Sequence, residues 1–306
     1  MNRRPVILFV VASLAFGTAF VGVKAGVATL PPVLFAALRF DLGATLLLSA
    51  LVIGRGVRGC LPGSRRDLLG IAVAGVFLVF VNGVLLFVGQ QFTTSAAAAV
   101  IYGVVPVATT PFAIAVLGAR LSLRGIIGLL VGFAGLVVVV RPSPALLEGT
   151  GIGEPIIVCS ALSVAFGSVL LRRLNPPMPS LPLTAWAMVV GAAGAHLLSL
   201  ALGEPTTIAW TAREIGAVAW LGTVSTGLAF PAYFSLIREA GPVRANLVAY
   251  VVPIVAAVTG AVVLGESVAV TTAVGFVIVL VGFALIEYEA LQRDVREAWG
   301  WLRPLG

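Results

Sequence analysis

Seven polar side chains stand within mainly apolar runs: Lys24, Asn82, Tyr102, Ser163, Ser225, Asn246 and Tyr250. None belongs to a nucleophile–base pair or a metal-ligand set. His196 is the only histidine, Cys60 and Cys159 lie far apart without metal-ligand spacing, and no H-E-x-x-H occurs. The chemistry that remains is noncovalent. An ammonium attracts a carboxylate, a carboxamide both donates and accepts, and a phenol offers an apolar wall with a hydroxyl handle. Recognition and passage of a small solute is expected, with no catalytic residue, no metal and no cofactor. Pro106, Pro231 and Pro253 lie in the same runs. A mid-helix proline cannot donate to the carbonyl four residues back, which frees those of Tyr102, Gly227 and Ala249. The three are hinge candidates flanking a wet cavity, although a kink packed against its neighbours fits as well.

Each polar residue also has a plainer reading. Lys24 sits about one turn inside the end of its run, where contact with an anionic substrate group and snorkelling to the interface both fit. Asn82 faces the bundle interior as a substrate contact or as a bond between helices. Tyr102 and Tyr250 lie about one turn to either side of Pro106 and Pro253, too deep for an interfacial belt, and are expected as cavity walls or gates. Ser163, Ser225 and Asn246 are weaker candidates, since short polar side chains often bond their own helix. Gln90 and Gln91 are expected to be solvated. Arg39 and Asp41 are expected to orient helices near a membrane surface. His196, with no carboxylate partner in view, is expected to be packed or solvated rather than to relay protons. No Asp or Glu is expected near the middle of a span.

The elements that position these residues follow from composition. Of 306 residues, 60% are hydrophobic and 10% charged, and the mean hydropathy is +1.13. Soluble domains run at about 45–50% apolar and about 25% charged. This is the composition of an integral membrane protein. The apolar stretches are continuous rather than alternating, so they are helices and not barrel strands. The net charge of +7 reads as arginines facing anionic lipid and cytoplasm rather than nucleic acid. No cleavable signal peptide is expected.

Ten spans are expected: 6–28, 32–53, 68–91, 94–118, 123–141, 152–171, 181–202, 214–236, 243–264 and 270–287. Beyond them, Leu291, Val295, Trp299 and Leu302 recur at helical spacing, as for a short helix lying on the membrane surface. With the N-terminus inside, 15 of the 19 Lys and Arg fall in inner segments, and only Arg141 and Arg213 fall outside. Both termini are then cytoplasmic and the membrane is the cell membrane.

The chain also repeats itself. Val104-Val105-Pro106-Val107 and Val116-Leu117-Gly118 return 147 residues later as Val251-Val252-Pro253-Ile254 and Val263-Leu264-Gly265. The same shift carries Gly128 onto Gly275 and Gly135 onto Gly282. Ala15-Phe16-Gly17 returns at an offset of 150 as Ala165-Phe166-Gly167. A five-helix unit is odd, so its second copy enters the membrane from the other side. That is the inverted-repeat plan of many transporters. The units are 1–141 and 142–287, followed by a tail at 288–306. One position breaks the likeness: Ala119 stands where the second copy has Glu266.

These features resemble the EamA family of the drug/metabolite transporter superfamily over nearly the whole chain. The resemblance is carried by Phe16-Gly17 with Lys24, by Pro32 through Arg39, by Pro106 and Pro253, and by Leu264-Gly265-Glu266 followed by Gly275 and Gly282. It implies an all-α carrier of small polar metabolites, often an exporter of amino acids or related compounds. The partners implied are a small-molecule substrate and the lipid bilayer, as a monomer or homodimer. Small multidrug relatives use a helix 1 carboxylate, where this chain has Lys24. A nucleotide-sugar or sugar-phosphate carrier is the alternative within transport, and a non-transport sensor or structural membrane protein the alternative outside it.

Overall fold

A computed structural model of the chain describes residues 4–118, 123–140, 151–233, 235–236 and 248–286, and the elements assigned in them are helical. The helices are α1 (Arg4–Gly26), α2 (Pro32–Arg55), α3 (Arg65–Gln90), α4 (Ser95–Leu117), α5 (Leu123–Val140), α6 (Gly153–Leu174), α7 (Ser180–Ala201), α8 (Ala212–Tyr233), α9 (Val248–Leu264) and α10 (Val270–Ile286). Among the described residues, 7 are long and apolar enough to cross a membrane, while α5, α9 and α10 are shorter apolar helices. Lipid offers no partner to a bare N–H or C=O, which is why continuous apolar runs fold as helices. The start expected for the ninth span and the surface helix expected in 288–306 lie outside the described residues.

The helices pair in a regular way. α1 packs on α9 and α4 on α6; α3 packs on α6 and α1 on α8; α3 packs on α7 and α2 on α8. α2 with α7, α4 with α9, and α5 with α10 also pair, and smaller contacts join α2 with α3, α1 with α4, α4 with α5 and α4 with α10. Advancing or reducing every helix number by five turns the larger pairings into themselves, while the smaller contacts have no counterpart of similar extent among the described residues.

Glycines that echo through the sequence form the α5–α10 seam. A Cβ on Gly275 would stand 2.9 Å from the Gly135 carbonyl oxygen, and one on Gly282 would stand 2.7 Å from that of Gly128. Backbones approach this closely only where no side chain intervenes, the usual device of helix packing in lipid. Gly118 and Gly265 end α4 and α9, each with φ of +66°. A left-handed residue there turns the chain out of the helix, and glycine adopts it without steric cost.

Two helices are locally widened. Ala74–Val81 in α3 and Leu221–Leu228 in α8 are π-helical. The two stretches are 147 residues apart at both ends, the same offset as the proline motif. α4 is interrupted at Gly103 and Val104, just ahead of Pro106, whereas Pro253 lies within the uninterrupted α9.

Side-chain bonds to helix ends distinguish the two faces of the bundle. On the arginine-poor face, Glu204 accepts from the Val33 and Leu34 amides at 3.1 and 2.8 Å, capping α2. Glu266 accepts from the Ser95 amide at 3.0 and 3.1 Å and from its hydroxyl at 2.5 Å, capping α4. Glu154 accepts from Thr93 at 2.5 Å and Glu214 from Thr29 at 2.8 Å. On the arginine-rich face, Asp67 accepts from the Met178 amide at 2.8 Å. Anionic groups belong at helix N-termini, where amides lack intrahelical acceptors.

Asp67 and Glu214 are themselves a repeated pair. Each lies in the first turn of its helix behind a capping hydroxyl residue, Ser64 or Thr211. Both acids are buried and both reach a loop of the opposite half, Asp67 on one face and Glu214 on the other.

Candidate functional site

Three polar side chains from three helices converge in the interior. The Tyr102 hydroxyl of α4 donates to Asn82 Oδ1 on α3 and is in contact with Ser160 Oγ on α6. Ser160 Oγ also lies 3.0 Å from Asn82 Oδ1 and 2.7 Å from the Asn82 carbonyl oxygen. The Asn82 amide nitrogen donates to the Leu78 carbonyl at 2.9 Å. Ser163, one turn along α6 from Ser160, donates to the Phe77 carbonyl at 2.8 Å.

The widened stretch of α3 accounts for this arrangement. A π turn shifts the i→i−4 register and leaves backbone carbonyls open to outside donors. The Ser163 hydroxyl takes that of Phe77 within the widened stretch, and the Ser160 hydroxyl takes the Asn82 carbonyl just past its end. In lipid the alternative is an unmatched carbonyl, so the bonds fix the α3–α6 contact as well as the site.

The cluster has no polar counterpart at the repeat-related positions. At the 147 offset, Asn82 maps to Ala229 and Tyr102 to Ala249; at the 150 offset, Ser160 maps to Val10. Ser163 maps to Ser13, whose buried hydroxyl has no partner, and Thr226 in the π-helical part of α8 is likewise buried and unmatched. Aromatic rings occupy that side instead. Phe16 of α1 meets Phe230 and Tyr233 of α8 edge-on, with centroids 5.3 and 6.0 Å away. Phe20 meets Tyr102 at 5.4 Å, joining the rings to the polar cluster.

Other expected residues take different places. Lys24 does not snorkel freely: its Nζ donates to the Gln90 and Gln91 carbonyls at 2.9 and 3.3 Å, closing the end of α3. Ser225 is buried in the π-helical part of α8, and Pro231 follows that stretch. Asn246 lies outside the described residues; the backbone of Tyr250 is helical, and its side chain lies outside the described set. Thus the structure brings Asn82 and Tyr102 together, adds Ser160, and sets Ser163 beside them; Lys24 stands apart.

Four expectations need correction. Gln90 is fully buried rather than solvated, with its amide nitrogen donating to the Phe20 carbonyl at 3.1 Å. His196 does have a carboxylate partner: its Nε2 lies 2.7 Å from Asp41 Oδ2, across the α2–α7 contact. Asp41 is not near a surface; it lies nine residues into α2, which at 1.5 Å per residue is about 13.5 Å. An acid near the middle of a span is therefore present. Arg39, two residues before Asp41, is buried at 6% exposure instead of guiding a helix end.

Ser160 is a position that sequence reasoning passed over, and Arg39 is one that it placed wrongly. Ser160 sits one turn from Ser163, so a search for hydroxyls on one helix face would have found it. Arg39 gave no such signal, because its burial depends on where Phe40 and Phe87 pack.

Two clefts lie away from the polar cluster. One of about 540 Å³ is lined by Arg66, Leu69 and Val73 of α3 and by Leu170, Arg173 and Leu174 of α6 with Asn175. The other, about 350 Å³, lies beside Asp67 and Met178.

The EamA-like transporter family matches this chain twice, over residues 3–141 and 151–288. An uncharacterized transporter of Archaeoglobus fulgidus is 26% identical over 271 residues, covering 89% of this chain and 94% of the relative. The uncharacterized inner membrane transporter YedA of Escherichia coli (strain K12) is 32% identical over 257 residues, covering 83% and 81%. A crystal structure of a protein 21% identical covers 96% of this chain and all of its own, with a TM-score of 0.66, which is a likeness of fold.

Proposed function

Because this chain belongs to the EamA-like transporter family, we propose that it moves small polar metabolites across the cell membrane by alternating access between two inverted five-helix halves, 1–141 and 142–287. The observation that carries this reading is the paired π-helical stretches, Ala74–Val81 and Leu221–Leu228, at the offset that also relates Pro106 to Pro253. Local widening at matched places in two halves supplies two weak points in the wall of one central path. The self-consistent helix pairing and the opposed latches at Asp67 and Glu214 support the same plan.

In this proposal the arginine-rich face is cytoplasmic, as are both termini. The present conformation is closed on the outer face by Glu154, Glu204, Glu214 and Glu266. Opening outward requires those bonds to break, and opening inward requires the Asp67–Met178 bond to break. The Asn82–Tyr102–Ser160 cluster and the facing aromatic side form the cargo path, with Ser163, Ser225, Asn246 and Tyr250 as further lining. Pro106, Pro231 and Pro253 serve as hinges. Amino acids or related compounds, exported, are the proposed cargo.

Flux tests this reading. Purified protein in proteoliposomes is loaded with a mass-tagged metabolite panel, including sugar phosphates, and efflux is followed. Substrate-specific, saturable flux is expected, whereas its absence across the panel would overturn the proposal.

A further inference from the structure

Arg39 is a buried cation for which no ion pair is found among the described residues. Its residue is 6% exposed, and its Nε has no hydrogen-bond partner. The guanidinium carbon lies 4.9 Å from the centroid of the Phe40 ring and 5.3 Å from that of Phe87. Both rings are buried at 1% and 0% exposure. Asp41 is only two residues away, but two residues turn a helix by about 200°. Its carboxylate is bonded to His196 on α7.

Other cations in the molecule show what satisfaction looks like. Lys24 holds two carbonyls, Arg213 reaches the Ala25 carbonyl at 3.1 Å, and Arg173 that of Val116 at 2.6 Å. Among the described residues, Arg39 is the buried cation, and its Nε has no hydrogen-bond acceptor. A cation taken out of water costs several kcal/mol in effective terms, while a cation–π contact returns only about 0.5–2 kcal/mol. The ring faces leave that cost largely unmet. Such a group is retained where an anion arrives to complete it.

Resting on the transport reading above, we propose that Arg39 recognises the cargo and that the cargo is a small monoanion: a carboxylate on an apolar or aromatic body. The carboxylate meets the planar fork of the guanidinium with two parallel hydrogen bonds. Its body extends toward Tyr102, Phe20 and Asn82, where rings and a carboxamide supply the walls. One guanidinium neutralises one charge. A phosphate dianion would bury a net negative charge, and Lys24 is already committed to carbonyls. Charge pairing also explains coupling to motion: bringing the anion in removes the cost of enclosing Arg39, so the loaded carrier closes more readily than the empty one.

The test uses full-length protein in detergent and thermal unfolding. The probes are benzoate, the uncharged isostere benzamide, and fully ionised phenylphosphonate. Benzoate is expected to raise the unfolding temperature by a few degrees at about ten times its half-saturating concentration. Benzamide and phenylphosphonate are expected to do so at least tenfold less effectively. Arg39→Met is expected to abolish the benzoate response and to unfold at a higher temperature without ligand, because an uncompensated charge has gone. Arg39→Lys, which keeps charge but loses the fork, should need at least tenfold more benzoate. An equal benzoate response in Arg39→Met, or responses to benzoate and benzamide that do not differ in the wild type, would overturn the proposal. So would an Arg39→Met protein that unfolds more readily, since Arg39 would then be structural. Proteoliposome flux separates the two readings. Flux that persists but ignores charge and Arg39→Met removes this inference alone; no flux of any compound, with the benzoate response intact, removes the transport reading alone.

Discussion

The Glu266 carboxylate receives both the amide and the hydroxyl of Ser95, joining the end of α9 to the start of α4. At the repeat position Ala119 has no group that could do this. The departure from symmetry that stands out in the sequence therefore has a physical content: Glu266 supplies a charged cap that an alanine side chain cannot. Glu266→Ala removes that cap and leaves the Ser95 amide unmatched, while Thr94 still caps that of Ala97. A loss of about 1–2 kcal/mol is expected, in the range of helix N-caps, and thermal unfolding should fall by a few degrees. An unchanged transition would show that the cap contributes nothing.

Tyr102, Ser160 and Asn82 share one network, so their contributions should not add. Tyr102→Phe removes the donor to Asn82 Oδ1, and Ser160→Ala removes the donor to the Asn82 carbonyl together with the contact to the Tyr102 hydroxyl. A double-mutant cycle in unfolding free energy should give a coupling of about 0.5–3 kcal/mol. Additive effects would mean the hydroxyls act independently.

The α5–α10 seam tolerates no side chain. Gly282→Ala sets a Cβ against the backbone of Gly132 and Gly128, neither of which can yield cheaply. Destabilisation of about 1–3 kcal/mol is expected from overpacking. Gly216→Ala in α8 is the control, since a Cβ there meets nothing within 4 Å. It should stabilise by about 0.5–1 kcal/mol through helix propensity. Equal effects at the two sites would contradict the assigned packing.

Asp41 and His196 form a polar pair whose side chains are 48% and 39% exposed, at a depth where the surroundings are lipid or protein. Removing one partner strands the other, whereas removing both strands neither. His196→Phe should cost about 1–3 kcal/mol, and adding Asp41→Leu should recover most of it. A double variant less stable than His196→Phe would show that Asp41 has a further partner.

Much of the architecture was legible in the sequence because lipid allows few solutions. Continuous apolar runs had to be helices, and the echo of Pro106 in Pro253 marked the duplication. Repetition was harder to see where chemistry is kept but letters change. Ser64 with Asp67 and Thr211 with Glu214 make equivalent caps from different residues. The π-helical stretches were invisible, since Ala74–Val81 and Leu221–Leu228 differ from ordinary apolar helix only in backbone register. Contacts between distant helices were illegible too. Asp41 and His196 are 155 residues apart, and nothing in either neighbourhood announces the other. Arg39 was misplaced for the same reason: counting residues from Pro32 gives depth along the helix, but not the side it faces.

Alternating access is tested most directly by spin-label distances across both faces in one set of proteins. One pair of labels replaces Phe92 and Val268, flanking the Ser95–Glu266 bond on the arginine-poor face. The other replaces Leu61 and Pro177, flanking the Asp67–Met178 bond on the arginine-rich face. All are made with Cys60 and Cys159 replaced. Two opposed states predict reciprocal changes. Glu266→Gln should lengthen the first distance and shorten the second, and Asp67→Asn should do the reverse. Distances that stay fixed in both variants, or that lengthen together on both faces, would contradict a carrier working by alternating access.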